Sequence, residues 1–290
     1  MLHTIHTPVL LDAVLAYLAP KKGESYLDLT AGYGGHASAV LEHTKQPAAM
    51  TLVDRDSTAV EALSALGKKG ARVVHASFEE ASMELVRQGA EFEMILADLG
   101  VSSLHLNTAS RGFAFSLDGP LDMRMDQGRE LSADTIVNTY GQDELAELIR
   151  RYGEEPRART IAAAIVQHRP ITTTSELAAV IAKVMPKGSR AHPATRSFQA
   201  IRIAVNDELG QLERSVPLWL QLLKPHGRLA VISFHSLEDR LVKQAFAEVA
   251  GNRYDADYTV LTKHPVVADD TEIAFNPRAR SAKLRVLQRK

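Results

Sequence analysis

Between Tyr26 and Ala97, four short apolar runs (Tyr26–Leu29, Ala48–Val53, Arg72–Val74 and Glu93–Ala97) alternate with segments of helical spacing such as Ser57–Leu66. No other feature of the chain constrains its fold as much. Strands this short and apolar are buried on both faces. Strands separated by helix-length segments pair in parallel, with the helices covering the sheet. The stretches joining them are short, as βα connections are. An earlier segment, Val9–Ala19, also carries apolar residues at helical spacing. The first hundred residues therefore predict an α/β fold built on a parallel sheet.

The rhythm stops after Asp98. Residues 99–130 are loop-like and rich in Gly, Ser, Asp and Met, and Ser132–Met185 then carries helical patterns. One of these opens with the capping box Thr173-x-x-Glu176. Thr195–Leu223 is a further long helical pattern, with a break expected near Gly210 or Pro217. Strand character returns at Arg228–Phe234, and Tyr258–Thr262 and Lys283–Leu287 resemble two closing strands. The expected organisation is a sheet domain of residues 1–104 and 211–290, interrupted by an all-helical domain of residues 105–210.

What the chain lacks narrows its chemistry. Across 290 residues there is no cysteine, which removes disulfides, thiolate metal sites, iron–sulfur clusters and any cysteine nucleophile. His3 and His6 are too isolated to suggest a metal site, and none is predicted. No run approaches the length of a membrane span. The opening MLHTIHTPVLLDAVLAYLA lacks a basic leader and contains Asp12, so a cytoplasmic protein is expected. The net charge is −1, yet Lys187–Arg202 carries Lys187, Arg190, Arg196 and Arg202 with no acid, and Asn276–Lys290 carries six basic residues with none. Such stretches serve as solvated surface or as a nucleic-acid face.

The loop after the first strand, LDLTAGYGGHA at Leu27–Ala37, is where a ligand binds in an open α/β sheet. Gly32–Ala37 matches the dinucleotide pattern G-x-G-x-x-A, and Asp54 follows about twenty residues on. Asp28 argues against a pyrophosphate, because a carboxylate there repels an anion and suits a cationic ammonium or sulfonium ligand. Asp54 is placed to take two ribose hydroxyls, from NAD or from S-adenosylmethionine. Asp98, in MILADLGVSS, is a third acid on the same edge. Each acid alone also suits a cap or loop hydrogen bond; together they favour S-adenosylmethionine. Without cysteine, methylation of pyrimidine carbon 5 and radical chemistry are closed. Direct in-line transfer to nitrogen or oxygen remains, driven mostly by alignment.

Further motifs occur in order along nearly the whole chain: HTPVLL at His6–Leu11, GGH at Gly34–His36, DLGVSS at Asp98–Ser103, RGFAF at Arg111–Phe115 and DGPLDMRMD at Asp118–Asp126. FQAIRIAVNDE at Phe198–Glu208, SFHSLED at Ser233–Asp239 and NPRARSAKLR at Asn276–Arg285 follow. With these the chain resembles the bacterial N4-cytosine methyltransferases of small-subunit (16S) ribosomal RNA. The resemblance implies a class I methyltransferase (Rossmann-like) fold with an inserted helical domain. It implies S-adenosylmethionine as donor and a cytidine of the ribosomal decoding region as acceptor. By motif position it implies that Gly34, Gly35, His36, Asp54, Phe78, Asp98 and the residue at 105 contact the cofactor. Leu104-His105 stands where that family has Pro-Gln, though histidine retains one hydrogen bond. Thr30 stands where class I loops often begin with Gly.

For catalysis the candidates are Asp98, as acceptor for the N–H groups of an extruded base, and His235, at the end of the fifth strand, for stacking or proton transfer. Ser236 with Asp239 forms a capping box, which explains part of SFHSLED structurally. Phe113 and Phe115 are candidates for base stacking or loop anchoring, and Met123 and Met125 for core packing. Arg190, Arg196, Arg202, Arg278, Arg280 and Lys283 are the candidate phosphate contacts on 16S rRNA. Three alternatives stay open: a same-fold methyltransferase acting on protein or a small molecule, an NAD-linked oxidoreductase, and a non-catalytic ribosome-binding factor.

Overall fold

The computed structural model describes residues 8–101, 106–186, 192–250 and 256–290. Its strands are β1 Tyr26–Asp28, β2 Met50–Asp54, β3 Arg72–His75, β4 Phe92–Asp98, β5 Leu223–Ser233, β6 Tyr258–Val260 and β7 Lys283–Arg289. They form one sheet in the order β3-β2-β1-β4-β5-β7-β6. The first five run parallel, and β7 is antiparallel to both β5 and β6. This is the sheet of the class I methyltransferase fold. The chain winds outward from β1 to β3 and then crosses back to β4, so its direction of winding reverses between β1 and β4.

The period of two along each strand explains why these runs are apolar throughout. Tyr26, Leu52, Met94, Leu96, Ala230 and Ile232 face one buried layer. Leu27, Val53, Ile95, Ala97, Leu229 and Val231 face the other. Trp219, fully buried in the second layer, donates its indole N–H to Ser82 Oγ at 3.0 Å.

Contacts divide the chain into two units, Met1–Gly100 with Leu209–Lys290, and Val101–Glu208. The second has its own core, formed by helices Ala133–Thr139, Gln142–Gly153, Ala158–Gln167, Thr174–Val184 and Thr195–Asn206. The Thr173/Glu176 capping box opens Thr174–Val184 as expected. Phe113, Met123 and Met125 are buried in this core; Phe115 stacks on His192 (4.4 Å) and meets Phe198 edge-on. These aromatics pack within their own unit. Among the described residues no helix is long and apolar enough to cross a membrane.

Several boundaries differ from expectation, each for a backbone reason. The first helix is trimmed to Leu11–Leu18 because Leu10 and Ala19 are left-handed. Ser57–Leu66 is two helices, Ser57–Ala62 and Ser64–Gly67. The long pattern from Thr195 breaks at Asp207 (φ +49°), while Gly210 and Pro217 lie inside Glu208–Gln221. Asn206 enforces the break. Its side chain accepts from Met125 N–H and donates to Met123 O, both at 2.8 Å, tying the helix end to a distant loop.

Candidate active site

Three parallel strands end in acids at one edge of the sheet. Asp28 lies opposite Leu52 of β2 and Leu96 of β4, so Asp54 and Asp98 each stand two residues further along the flanking strands. The loop beyond β1 is sewn to that edge. Ala31 N–H donates to Val53 O, and Gly32 N–H to Asp54 Oδ2, both at 2.8 Å. Gly34 has φ +75°, and a Cβ there would approach Leu66 to 3.0 Å and Leu63 to 3.1 Å. At Gly35 a Cβ would stand 2.5 Å from Pro8 Cγ. Pro8–Val9 therefore packs directly on the start of helix Gly35–Thr44, and Val9 O lies 3.0 Å from His36 Nε2. A carbonyl only accepts, so the proton sits on Nε2. Nδ1 then faces Asp98, 3.9 Å from Oδ2.

Of the three acids, Asp54 has a neighbouring cation, Arg55, that acts to lower its pKa. Asp28 is 1% exposed; Tyr26 O–H donates to its Oδ2 at 2.8 Å and Thr30 N–H to its Oδ1 at 3.2 Å. Burial nevertheless pushes its pKa up to about 7, outweighing those hydrogen bonds, with Asp54 adding to the rise. Burial pushes Asp98 well above the usual carboxylate range, and Asp28 and Glu238 act in the same direction. Asp98 donates its own N–H to Thr30 Oγ1 at 2.6 Å, while its Oδ1 is buried with no hydrogen-bond partner among the described residues. Asp54, also raised by burial, accepts Gly32 N–H on one oxygen and Asp56 N–H on the other. Among the described residues, neither Asp28 nor Asp98 has a Lys or Arg in ion-pair reach. Asp28, which the sequence suggests as a carboxylate suited to a cationic ligand, is sealed beneath the loop.

The edge thus brings together Gly34, Gly35, His36, Asp54 and Asp98. Phe78 opens the helix after β3, half-buried and edge-on to Trp219 at 5.7 Å. His105 and Arg190 lie outside the described residues. His235 has a local task that the sequence reading assigned one residue later. The capping box is His235/Glu238, not Ser236/Asp239: Glu238 N–H donates to His235 Nδ1, and His235 N–H to Glu238 Oε2, both at 3.3 Å. Nε2 lies 3.2 Å from Glu238 Oε1 without hydrogen-bond alignment. Asp239, released from the cap, holds Lys283 (3.2 Å) and Arg285, which keep its pKa low although burial alone raises it.

Several candidate phosphate contacts are engaged internally. Arg202 makes two parallel bonds of 2.8 Å to Glu208, both largely buried, and Lys283 is paired with Asp239. Arg278 is half-buried, and that burial lowers its pKa. Arg280 is exposed on the turn Pro277–Ser281, and Arg196 is exposed while touching Glu154 O at 3.3 Å and Glu155 at 3.8 Å. Sequence reasoning missed Tyr26, Thr30 and Val9 as supports of the site. Tyr26 was findable, since it stands two residues before Asp28 on the same strand face. Val9 was not, because its contact joins segments that only the fold brings together.

The profile of the MraW methylase family matches residues 3–290. The chain is similar to the ribosomal RNA small subunit methyltransferase H of Nitratidesulfovibrio vulgaris, with 46% identity over 310 residues covering 99% of this chain and 86% of that protein. To the protein of the same name from Acidobacterium capsulatum identity is 45%, covering 98% of each chain. To that of a Cyanothece strain it is 48%, covering 98% of this chain and 95% of the relative.

Proposed function

The chain belongs to the MraW methylase family, and on that premise we propose that it transfers a methyl group from S-adenosylmethionine to the exocyclic N4 of a cytidine in the decoding region of 16S ribosomal RNA. When bound, that donor supplies an electrophilic methyl group on a positively charged sulfur. The residues fit such a ligand. Gly34 and Gly35 let the loop fold tightly against Leu63, Leu66 and Pro8, Asp54 retains a lone pair on each oxygen for ribose hydroxyls, and neither Asp28 nor Asp98 has a Lys or Arg in ion-pair reach among the described residues. Phe78 and His105 complete the set carried over by motif position.

The observation that carries the catalytic reading is the buried Oδ1 of Asp98, which has no hydrogen-bond partner among the described residues. Cytosine N4 is a poor nucleophile because its lone pair is delocalised into the ring. An acceptor on its N–H groups lets the nitrogen pyramidalise, and a proton must leave once the new bond forms. Asp98 serves as that acceptor in its ionised form, which a cationic sulfur nearby favours, and burial makes that carboxylate a stronger base. His36, anchored on Val9 O, places its Nδ1 3.9 Å from Asp98 Oδ2 and so lines the same edge. His235 is left to its cap. Alignment supplies most of the remaining acceleration.

Substrate recognition falls to the helical unit, for which the sequence suggests residues 105–210 and the contacts Val101–Glu208. Arg196 and Arg280, being exposed, are the phosphate contacts, with the rRNA presented within the small ribosomal subunit. The test is transfer of labelled methyl from S-adenosylmethionine to small subunits from cells lacking this protein, followed by nucleoside mass spectrometry. N4-methylcytidine is the expected product. Label on protein, or no label despite donor binding, moves the reading to another acceptor or to a non-catalytic factor.

A further inference from the structure

The reaction turns a cationic ligand into a neutral one. S-adenosylmethionine carries one more positive charge than S-adenosylhomocysteine, so a site that senses that charge separates donor from product. Asp28 is built for this. It sits at the centre of the acid edge, opposite Leu52 and Leu96, flanked by Asp54 and Asp98 two residues on. It is 1% exposed, too deep to touch a ligand as a surface carboxylate does, and Tyr26 O–H holds it from within its own strand at 2.8 Å.

Thr30 couples it to the catalytic acid. Its N–H donates to Asp28 Oδ1 and its Oγ1 accepts Asp98 N–H. The charged and titratable groups around this pair are Tyr26 on β1, Asp54 on β2, Asp98 on β4, and His36 and Glu238, which face Asp98 from their helices. Arg55, beside Asp54, is the one cation acting on this group among the described residues, and it acts on Asp54.

Resting on the methyl-transfer reading above, we infer that the Tyr26–Asp28 pair is a charge sensor that discriminates donor from product: the buried Asp28 shifts toward its ionised form and releases a proton when the cationic donor binds, and shifts back, taking up a proton, once the sulfur becomes neutral. The proton leaves to solvent on donor binding and returns from solvent after transfer, so the cycle balances. A pKa of about 7 puts the exchange within the working range. Because donor binding releases a proton, donor affinity rises with pH until Asp28 is ionised in the free protein, and product affinity does not follow. Asp28 is thus a specificity-determining residue, distinct from those that contact the ligand.

The test is calorimetric titration of the full-length protein with donor and, separately, with product, in buffers of different ionisation enthalpy between pH 6 and 8. Expected is net proton release with the donor only. The ratio of product Kd to donor Kd should climb with pH, up to the limit of about tenfold per unit for one linked proton. In Asp28→Asn the release disappears, and the ratio becomes smaller and flat with pH. If that variant does not fold, Tyr26→Phe decides: losing the phenol hydrogen bond moves the midpoint of the pH dependence upward. Equal proton release with both ligands, or an unchanged ratio in either variant, overturns the sensor while leaving the methyl-transfer reading intact. Failure of the wild-type protein to bind either ligand overturns both.

Discussion

A carboxyl group taken out of water without a cation beside it is costly, and the edge of this sheet buries Asp28 wholly and one oxygen of Asp98. Neither is explained by folding alone. For Asp98 the expected outcome of Asp98→Asn is a fall in kcat of roughly 10²-fold or more with the donor Kd changed by less than about tenfold; single-turnover rates and equilibrium dialysis separate the two. For Asp28 the sign follows from its proton affinity. Folded, its pKa is about 7 against an ordinary 3.8, so its protonated form stabilises the fold at low pH. That contribution is lost as pH rises from about 4 through 7. Above 7 the folded chain carries a buried carboxylate. Asp28→Asn is therefore expected to stabilise the ligand-free protein at pH 8, by up to about a few kcal/mol, with a higher Tm there and the gap closing toward pH 4 in thermal melts. The acids themselves are legible in the sequence as LDLTAG, VDRD and ADLG, because strand ends followed by turn residues mark the sheet edge. Their charge state is not, since it depends on how deeply each is covered.

Helices and strands follow local rules here until a distant partner intervenes. The box Thr173/Glu176 is visible in sequence and present in the structure, because both halves lie within one turn. The analogous signal at Ser236/Asp239 points one residue too far: Asp239 is drawn to Arg285 and Lys283 on β7, and His235 with Glu238 closes the helix instead. If His235 is a cap and not a catalyst, His235→Asn should keep turnover within a few-fold, since Asn is also a good N-cap. His235→Ala should lose about 1 kcal/mol, or roughly 2–4 °C in Tm for a chain of this size. A large loss of kcat in the Asn variant with normal Tm restores His235 to the chemistry. The break at Asp207 follows the same logic. Gly210 and Pro217 are the local breakers, but Asn206 bound to the backbone of Met123 and Met125 sets where the helix stops.

Across the whole molecule, charge tells apart residues that composition lumps together. Six cations were candidates for phosphate on the strength of acid-free stretches, yet Arg202 and Lys283 answer to Glu208 and Asp239 inside their own units. Arg280→Glu should weaken RNA binding and flatten its dependence on salt. Arg202→Ala should leave the salt slope unchanged but cost about 3 kcal/mol by stranding a largely buried Glu208; salt-dependent binding and denaturant melts check each. The helical unit is one continuous segment with a core of its own, so a fragment of residues 101–208 is expected to show helical circular dichroism and cooperative melting, with no affinity for S-adenosylmethionine. The alternating sheet, the helical insertion between its fourth and fifth strands, the Gly-rich loop and the ordered motifs are all legible along the chain. These depend on backbone propensity and on hydrophobic period, both of which are local. It took the tertiary structure to decide that Asp28 is sealed with its pKa pushed up, that His235 caps a helix, that Asp98 Oδ1 has no hydrogen-bond partner among the described residues, and which arginines remain exposed. Burial and ion pairing depend on what arrives from far along the chain, and a local pattern carries no record of that.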